Sequence, residues 1–289
     1  MACATPAPPV EPPQPPVLPV ATLSSPPRIE NPDPEPDPQV QMVFDRLEAQ
    51  NTEHITLYFL LLVDNPRSGS ASMGIRRWQL MVNGLIQDKG ADPIFTAEVA
   101  AAASAQFPLQ FAVDLGASAG SGEAEFDTYQ ITLETDMVFT YADANAVTHL
   151  VAEAAFPRIR EPQFTVTTIV VNQGDLINTR LKVGLRIDNP NQFPLQLSAL
   201  AYQFYGDERF WADGNDPTIR HIPAMGSAQT QISMVMNFIN MNRKLLEDII
   251  AAKQIYYRFT GEAAVLTTIE YLPQFSMDFD LSGNSVVVK

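Results

Sequence analysis

Leu62-Val63-Asp64-Asn65-Pro66 returns as Arg186-Ile187-Asp188-Asn189-Pro190, and each copy closes an apolar run. The offset, Asn65 to Asn189, is 124 residues. Held at that offset, Trp78-Gln79 falls on Tyr202-Gln203, Ile86 on Phe210 and Asp92-Pro93 on Asp216-Pro217. After a slip of one residue, Ser104-Ala105-Gln106 falls on Ser227-Ala228-Gln229, and Leu109, Phe111 and Val113 fall on Ile232, Met234 and Met236. A period this long marks a duplicated domain, because solenoid units run to roughly 20–50 residues. The repeated pair itself has a physical reading. Pro66 and Pro190 cannot donate to a ladder and force Asn65 and Asn189 extended, so a strand ends there, while the Asn amide can hydrogen-bond the freed backbone.

Working outward, alternation of apolar and polar residues with β-branched and aromatic enrichment argues for half-buried antiparallel strands. In the second copy these are expected over 164–171, 178–187, 197–205, 229–238, 256–266 and 275–281. In the first they are expected over 54–63, 76–82, 107–115, 129–141 and 147–156. Short strands with turn residues between them define an all-β chain of two tandem antiparallel β-sandwiches. One helix interrupts the pattern: Met241, Leu245, Leu246, Ile249 and Ile250 form an apolar stripe, and Asn240 or Asn242 can cap its start. That helix is expected to plug one end of the second sandwich.

The division expected is a tether over 1–40, a first module over 41–157 and a second over 158–289. The tether is different material from the body. More than half of the 24 prolines lie before residue 39, with few large apolar residues between them, so ordering entropy cannot be offset by burial. The run Pro32-Asp33-Pro34-Glu35-Pro36-Asp37-Pro38 reads as an extended, self-repelling charged spacer. The junction Pro157-Arg158-Ile159-Arg160-Glu161-Pro162 is short and proline-bounded, so limited freedom between the modules is expected.

Charge narrows the classes of partner. With 18 Lys plus Arg against 33 Asp plus Glu, the formal charge of −15 repels phosphate backbones and anionic headgroups alike, and nucleic-acid binding is excluded on that ground. No stretch approaches the roughly 20 apolar residues of a membrane-spanning helix. Cys3, alone in the sequence, forbids an internal disulfide. Its setting, Ala2-Cys3-Ala4 before a proline-rich arm, resembles the start of a mature bacterial lipoprotein, in which the cysteine carries the lipid. On that reading a signal peptide precedes the cysteine in the precursor, contact with the membrane is through the lipid anchor only, and the body sits in the cell envelope, in the periplasm. The alternative is a cytoplasmic protein with an incidental thiol.

The second copy resembles a known family. Ile187-Asp188-Asn189-Pro190-Asn191, Phe193-Pro194-Leu195, the strand to Tyr205-Gly206, Ile222-Pro223-Ala224 and Tyr257-Arg258-Phe259-Thr260-Gly261-Glu262-Ala263 are similar to the late embryogenesis abundant type 2 family, also called the water stress and hypersensitive response domain. The first copy resembles it more weakly. It keeps Asn65-Pro66 and an Asn83-Gly84 turn but has the Ser-Gly-rich residues 67–72 where the second has Phe193-Pro194-Leu195, and glycine-rich residues 116–122 where the second has its helix. The resemblance implies fibronectin-like sandwiches, association with desiccation and stress protection or with the envelope, and no catalytic residues or cofactors to carry over.

Other constellations are weak. Gly116-Ala117-Ser118-Ala119-Gly120 with Asp136 or Asp143 and His149 has the order of a hydrolase triad, but that motif works on a strand-to-helix turn above a parallel sheet, which this pattern lacks. His54, His149 and His221 lack paired ligand spacing, and Asp64 and Asp188 lack the acidic neighbours of a calcium site, so no metal is expected. Phe210-Trp211 beside a turn is a candidate partner contact. The expectation is therefore a non-catalytic, lipid-tethered envelope protein that protects or binds other components under stress. The alternative is a structural scaffold subunit of a larger periplasmic assembly that docks a protein partner.

Overall fold

The computed structural model describes residues 36–91, 95–116, 126–141, 145–172, 180–235 and 254–288. The first module contains β1 (Gln39–Ala49), β2 (His54–Asn65), β3 (Ala71–Val82), β4 (Leu85–Gly90), β5 (Thr96–Val99), β6 (Ala103–Asp114), β7 (Thr128–Thr140) and β8 (Asn145–Pro157). The second contains β9 (Gln163–Asn172), β10 (Arg180–Asp188), β11 (Leu195–Gly206), β12 (Arg209–Asp216), β13 (Arg220–Ile222), β14 (Ser227–Val235), β15 (Gln254–Thr267) and β16 (Gln274–Val288). No helix occurs among the described residues. The helix expected around residues 241–250 lies outside them.

The eight strands of one module map in order onto the eight of the other. β1-β2-β6 forms one sheet and β4-β3-β7-β8, with β5 on β3, the facing one; β9-β10-β14 and β12-β11-β15-β16, with β13 on β11, repeat that pattern. Register follows the repeat as well. Thr56 opposite Ala112 becomes Arg180 opposite Val235, and Val82 opposite Ile131 becomes Gly206 opposite Tyr257. The bulge after Leu80 in β3 against β4 returns after Phe204 in β11 against β12. Even the uncommon backbone conformations are duplicated. Asn83 and Gly84 in the β3–β4 turn have φ of 49° and 80°, and Asp207 and Glu208 in the β11–β12 turn have 46° and 64°. Such left-handed pairs are what two-residue hairpins require.

Alternation builds a core in each sandwich. Ile55, Leu57, Phe59, Leu61 and Val63 of β2 face Met73, Ile75, Leu80, Leu133 and Met137 of the other sheet, all buried. Leu181, Val183, Leu185 and Ile187 of β10 face Leu197, Phe204, Phe259 and Val265 in the second. A fully buried Leu or Phe stabilises by about 2–3 kcal/mol, so a one-residue slip of register, which would expose a whole face, is strongly disfavoured.

The modules differ in how their sides close. β16 runs on to pair in parallel with β9, Val287 opposite Ile169, and joins both sheets of the second module into an 8-stranded sheet. β8 ends at Pro157, which has no N–H to extend the ladder, and the chain turns away with Arg158 N–H donating to Asp127 O at 2.8 Å. On another flank, Phe95 packs edge-on against Phe107, centroids 5.2 Å apart. Thr230, the counterpart of Phe107, instead accepts a hydrogen bond from Arg220 Nε at 2.8 Å.

Polar contacts span the junction. The Arg160 guanidinium, buried for most of its surface, donates to Asp127 Oδ1 at 2.8 Å, Phe126 O at 2.9 Å and Pro190 O at 3.4 Å. Gln192 Nε2 donates to the other oxygen of Asp127 at 2.6 Å. Hydrogen bonds from Arg160 and Gln192 hold the Asp127 carboxyl below the usual carboxylate range. Tyr271 lays its ring edge-on to Phe156 at 5.5 Å and donates its hydroxyl to Pro157 O at 2.5 Å, and burial pushes that hydroxyl well up. With Ile159 buried in the second core, the linker has anchors on both sides. Small-angle scattering in solution is expected to return one narrow interdomain distance, broadened in Arg160→Ala.

Candidate functional site

The Asn-Pro pairs form the same construction twice, at the end of each sandwich where the chain enters. Asn65 is fully buried; its Nδ2 donates to Gly69 O at 3.0 Å and Ala100 O at 3.0 Å, and its Oδ1 accepts the Arg67 N–H at 3.2 Å. Asn189, 3% exposed, donates to Phe193 O at 2.8 Å and Pro223 O at 3.0 Å and accepts the Asn191 N–H at 2.9 Å. These carbonyls are equivalent in the repeat. One side chain therefore closes its own turn and pins the β2–β3 turn to the β5–β6 turn, or β10–β11 to β13–β14. Pro66 and Pro190 follow at the strand ends and leave the amide to satisfy carbonyls that a ladder no longer reaches. The pinned turns carry further left-handed residues, Ala102 at 46° and Met225 at 50°, whose N–H groups donate to Arg67 O and Asn191 O at 2.9 Å each.

Phe210 and Trp211 part company. Trp211 is fully buried, so it offers nothing to a partner; Phe210 is half-buried against Tyr205, centroids 5.8 Å apart. The cause is the bulge after Phe204, which opposes Phe210 to Tyr205 and turns Trp211 inward, where the missing side chain of Gly206 leaves room for the indole. A bulge leaves no mark in spacing that sequence reasoning could read.

The hydrolase-like constellation is partly assembled. Asp136 and His149 are cross-strand partners on the outer face of β7 and β8, with His149 Nδ1 2.9 Å from Asp136 Oδ1, and Arg77 Nη1 stands 3.9 Å from Asp136. Ser118 and Asp143 lie outside the described residues. Asp136 and His149 form an exposed strand-face pair, and such pairs are worth fractions of a kcal/mol. His54 and His221 lie on other strands, and among the described residues no group of three His, Cys, Asp or Glu side chains could hold a metal. Asp64 accepts from Ser104 Oγ at 2.9 Å and Asp188 pairs with Arg186 at 2.7 Å. Cys3 and the leader through residue 35 lie outside the described residues.

Two features were not anticipated from the sequence. An open groove of about 800 Å³ crosses the outer face of the five-stranded sheet, lined among others by Ser72, Gly74, Arg76, Glu98, Val138 and Val147. A bulge at Arg76 helps form it by turning Arg76 and Arg77 to the same face. On the second module Arg220, 8% exposed, ties Asp216 by an ion pair, Thr218 O at 2.8 Å and Thr230 Oγ1 at 2.8 Å into a clasp between β12, β13 and β14. Burial works to raise the Asp216 carboxyl, but hydrogen bonds from Thr218 and Arg220 outweigh it and hold it below its ordinary value.

The family model described as late embryogenesis abundant protein matches residues 184–273, within the second module, which is similar to that family over this stretch; the match does not extend to the first module. The curated proteins contain no match. Among solved structures, a solution structure of an Arabidopsis thaliana protein is 15% identical and covers 46% of this chain and 86% of its own, with a TM-score of 0.36. A crystal structure of a protein from Archaeoglobus fulgidus is 11% identical and covers 44% of this chain and 96% of its own, at 0.29. Red sea bream transglutaminase is 12% identical over 86% of this chain and 31% of its own, at 0.25.

Asn189→Ala is expected to cost roughly 1–2 kcal/mol by removing the buried amide's bonds to Phe193 O and Pro223 O, with a similar loss for Asn65→Ala, both read by denaturant unfolding. The depressed Asp216 carboxyl gives a pH signature. Its contribution is fully present above the unfolded carboxylate value of about 3.9 and is lost as pH falls through the lower folded value. Asp216→Asn is thus expected to be less stable than the parent at pH 7, with the gap closing on acidification.

Proposed function

We propose that this is a non-catalytic stress-protection or binding protein of the cell envelope, lipid-tethered through Cys3. The observation that carries the reading is the match of the second module to the late embryogenesis abundant family, set in a two-sandwich body whose buried Asn65 and Asn189 side chains serve its own backbone. Asn65, Asn189 and Arg220 hold shape, and a protein of this construction acts through surface contact. The proline-rich sequence between Cys3 and β1 supports the tether, since it separates the candidate anchor from a body whose net charge anionic headgroups repel.

A second reading has its own support. The bonded junction through Arg160, Asp127 and Tyr271 suits a spacer or scaffold subunit of a periplasmic assembly, in which fixed geometry between modules matters more than a free surface. Mass spectrometry of the native protein decides the anchor: a diacyl or triacyl modification on Cys3 in the membrane fraction is expected, and an unmodified cysteine in the cytosol sinks the tethered reading. Crosslinking in native extract separates protectant from scaffold, since one stoichiometric partner favours the scaffold.

A further inference from the structure

The place where the chain enters each module is held by a clamp, and the two copies use matched but different chemistry. Arg67 and Asn191 are equivalent at the repeat offset, as are Pro36 and Arg160. In the second module Asn191 grips Arg160 by both backbone groups: Arg160 N–H donates to Asn191 Oδ1 at 2.7 Å, and Asn191 Nδ2 donates to Arg160 O at 2.8 Å. In the first, Arg67 Nε donates to Pro36 O at 3.2 Å, so the same carbonyl is taken from the same position. Proline has no N–H to give, and a guanidinium has no oxygen to receive one.

Arg67 gains what Asn191 does not have. Its Nη2 donates to Asp37 Oδ1 at 2.9 Å, and its guanidinium lies over the Tyr141 ring with Cζ 4.1 Å from the centroid. The Arg67 side chain is 13% exposed while that of Asp37 is 79% exposed. The cation is thus built into the sandwich, stacked on an aromatic face, and the carboxylate comes to it from solvent. Bonds from Arg67 N–H to Asn65 Oδ1 and from Ala102 N–H to Arg67 O fix the clamp to the asparagine-pinned turns.

We propose that Arg67 and Tyr141 form a recognition site for a proline-acid pair, occupied by the chain's own Pro36 and Asp37, which guards the start of β1 against fraying. β1 is an edge strand, bonded among the described residues to β2 alone, and starts at Gln39. An antiparallel edge strand pulled from its end opens one rung at a time, and a grip at Pro36 and Asp37 takes the load before the first rung. The leader offers this chemistry repeatedly, Pro32-Asp33, Pro34-Glu35 and Pro36-Asp37, and the site holds the last pair. The inference rests on the tether reading for its purpose but not for its test.

Hydrogen exchange on the full chain tests it. In Arg67→Ala and in Arg67→Asn the amides of β1 are expected to exchange about tenfold faster while those of β2 and β6 are unchanged. The double variant Pro36→Ala/Arg67→Asn restores an N–H at 36 and an acceptor at 67, recreating the Arg160–Asn191 pair, and is expected to recover the protection. Unchanged β1 exchange in Arg67→Ala, no recovery in the double variant, or a general rise that includes β2 and β6 would each overturn the proposal. An unmodified Cys3 would remove the tether and leave this exchange pattern intact.

Discussion

Each sandwich turns on one buried asparagine amide that answers three demands of the backbone at a single point. Where β2 and β10 stop, the next residues can no longer give their polar groups to a ladder, and the turn after β5 or β13 must approach the same place. Asn65 and Asn189 take a carbonyl from each turn and receive an N–H two residues on. The amide itself is buried, and its position fixes what comes after. Residues 67 and 191 are brought to the mouth of the module, facing the incoming chain. Ala102 and Met225 are held left-handed by bonds to those same residues, a conformation costly for side chains with a Cβ and tolerated because the pinned turns leave no other path.

The duplication was legible because its signal was the asparagine pair and alternation, both of which report directly on burial. The strands flanking them, β2, β7, β10 and β15, have an apolar residue at nearly every inward position. β1 escaped notice since Asp45, Arg46 and Glu48 break the alternation, and the structure absorbs them with a bulge between Phe44 and Arg46. β4 is short and carries Asp88 and Lys89, as an outermost strand does to discourage pairing with a stranger. Beside a turn, Phe210 and Trp211 read equally as a partner contact or as packing on their own sheet, and only the bulge opposite decides which way each points. The entry clamp was invisible for a different reason: Arg67 and Asn191 share no chemistry, and their equivalence appears only when the carbonyls they hold are compared.

Common topology has not forced common means. The flank that Phe95 and Phe107 cover with aromatic contact in the first module is closed in the second by Arg220, Asp216 and Thr230. Burial of an ion pair is weak evidence for added stability, since desolvation offsets much of the attraction. Its geometry is specific, however, and it sets the spacing of β12, β13 and β14 in the module that matches the late embryogenesis abundant family.

The two mouths also give the chain a direction. Asn191 suits a linker with a free N–H, and the same linker's Arg160 reaches Phe126 and Asp127 at the far end of the module before it; Arg67 suits a proline with an acid behind it. Exchange the order of the modules and the Asn191 grip loses a bond, since Asn191 would meet a proline with no N–H to give, whereas Arg67 would meet Arg160 with an acid, Glu161, in the place of Asp37. The two modules repeat one topology yet are not interchangeable at their mouths, and a circular permutant or domain swap would have to carry its threshold residues along with it.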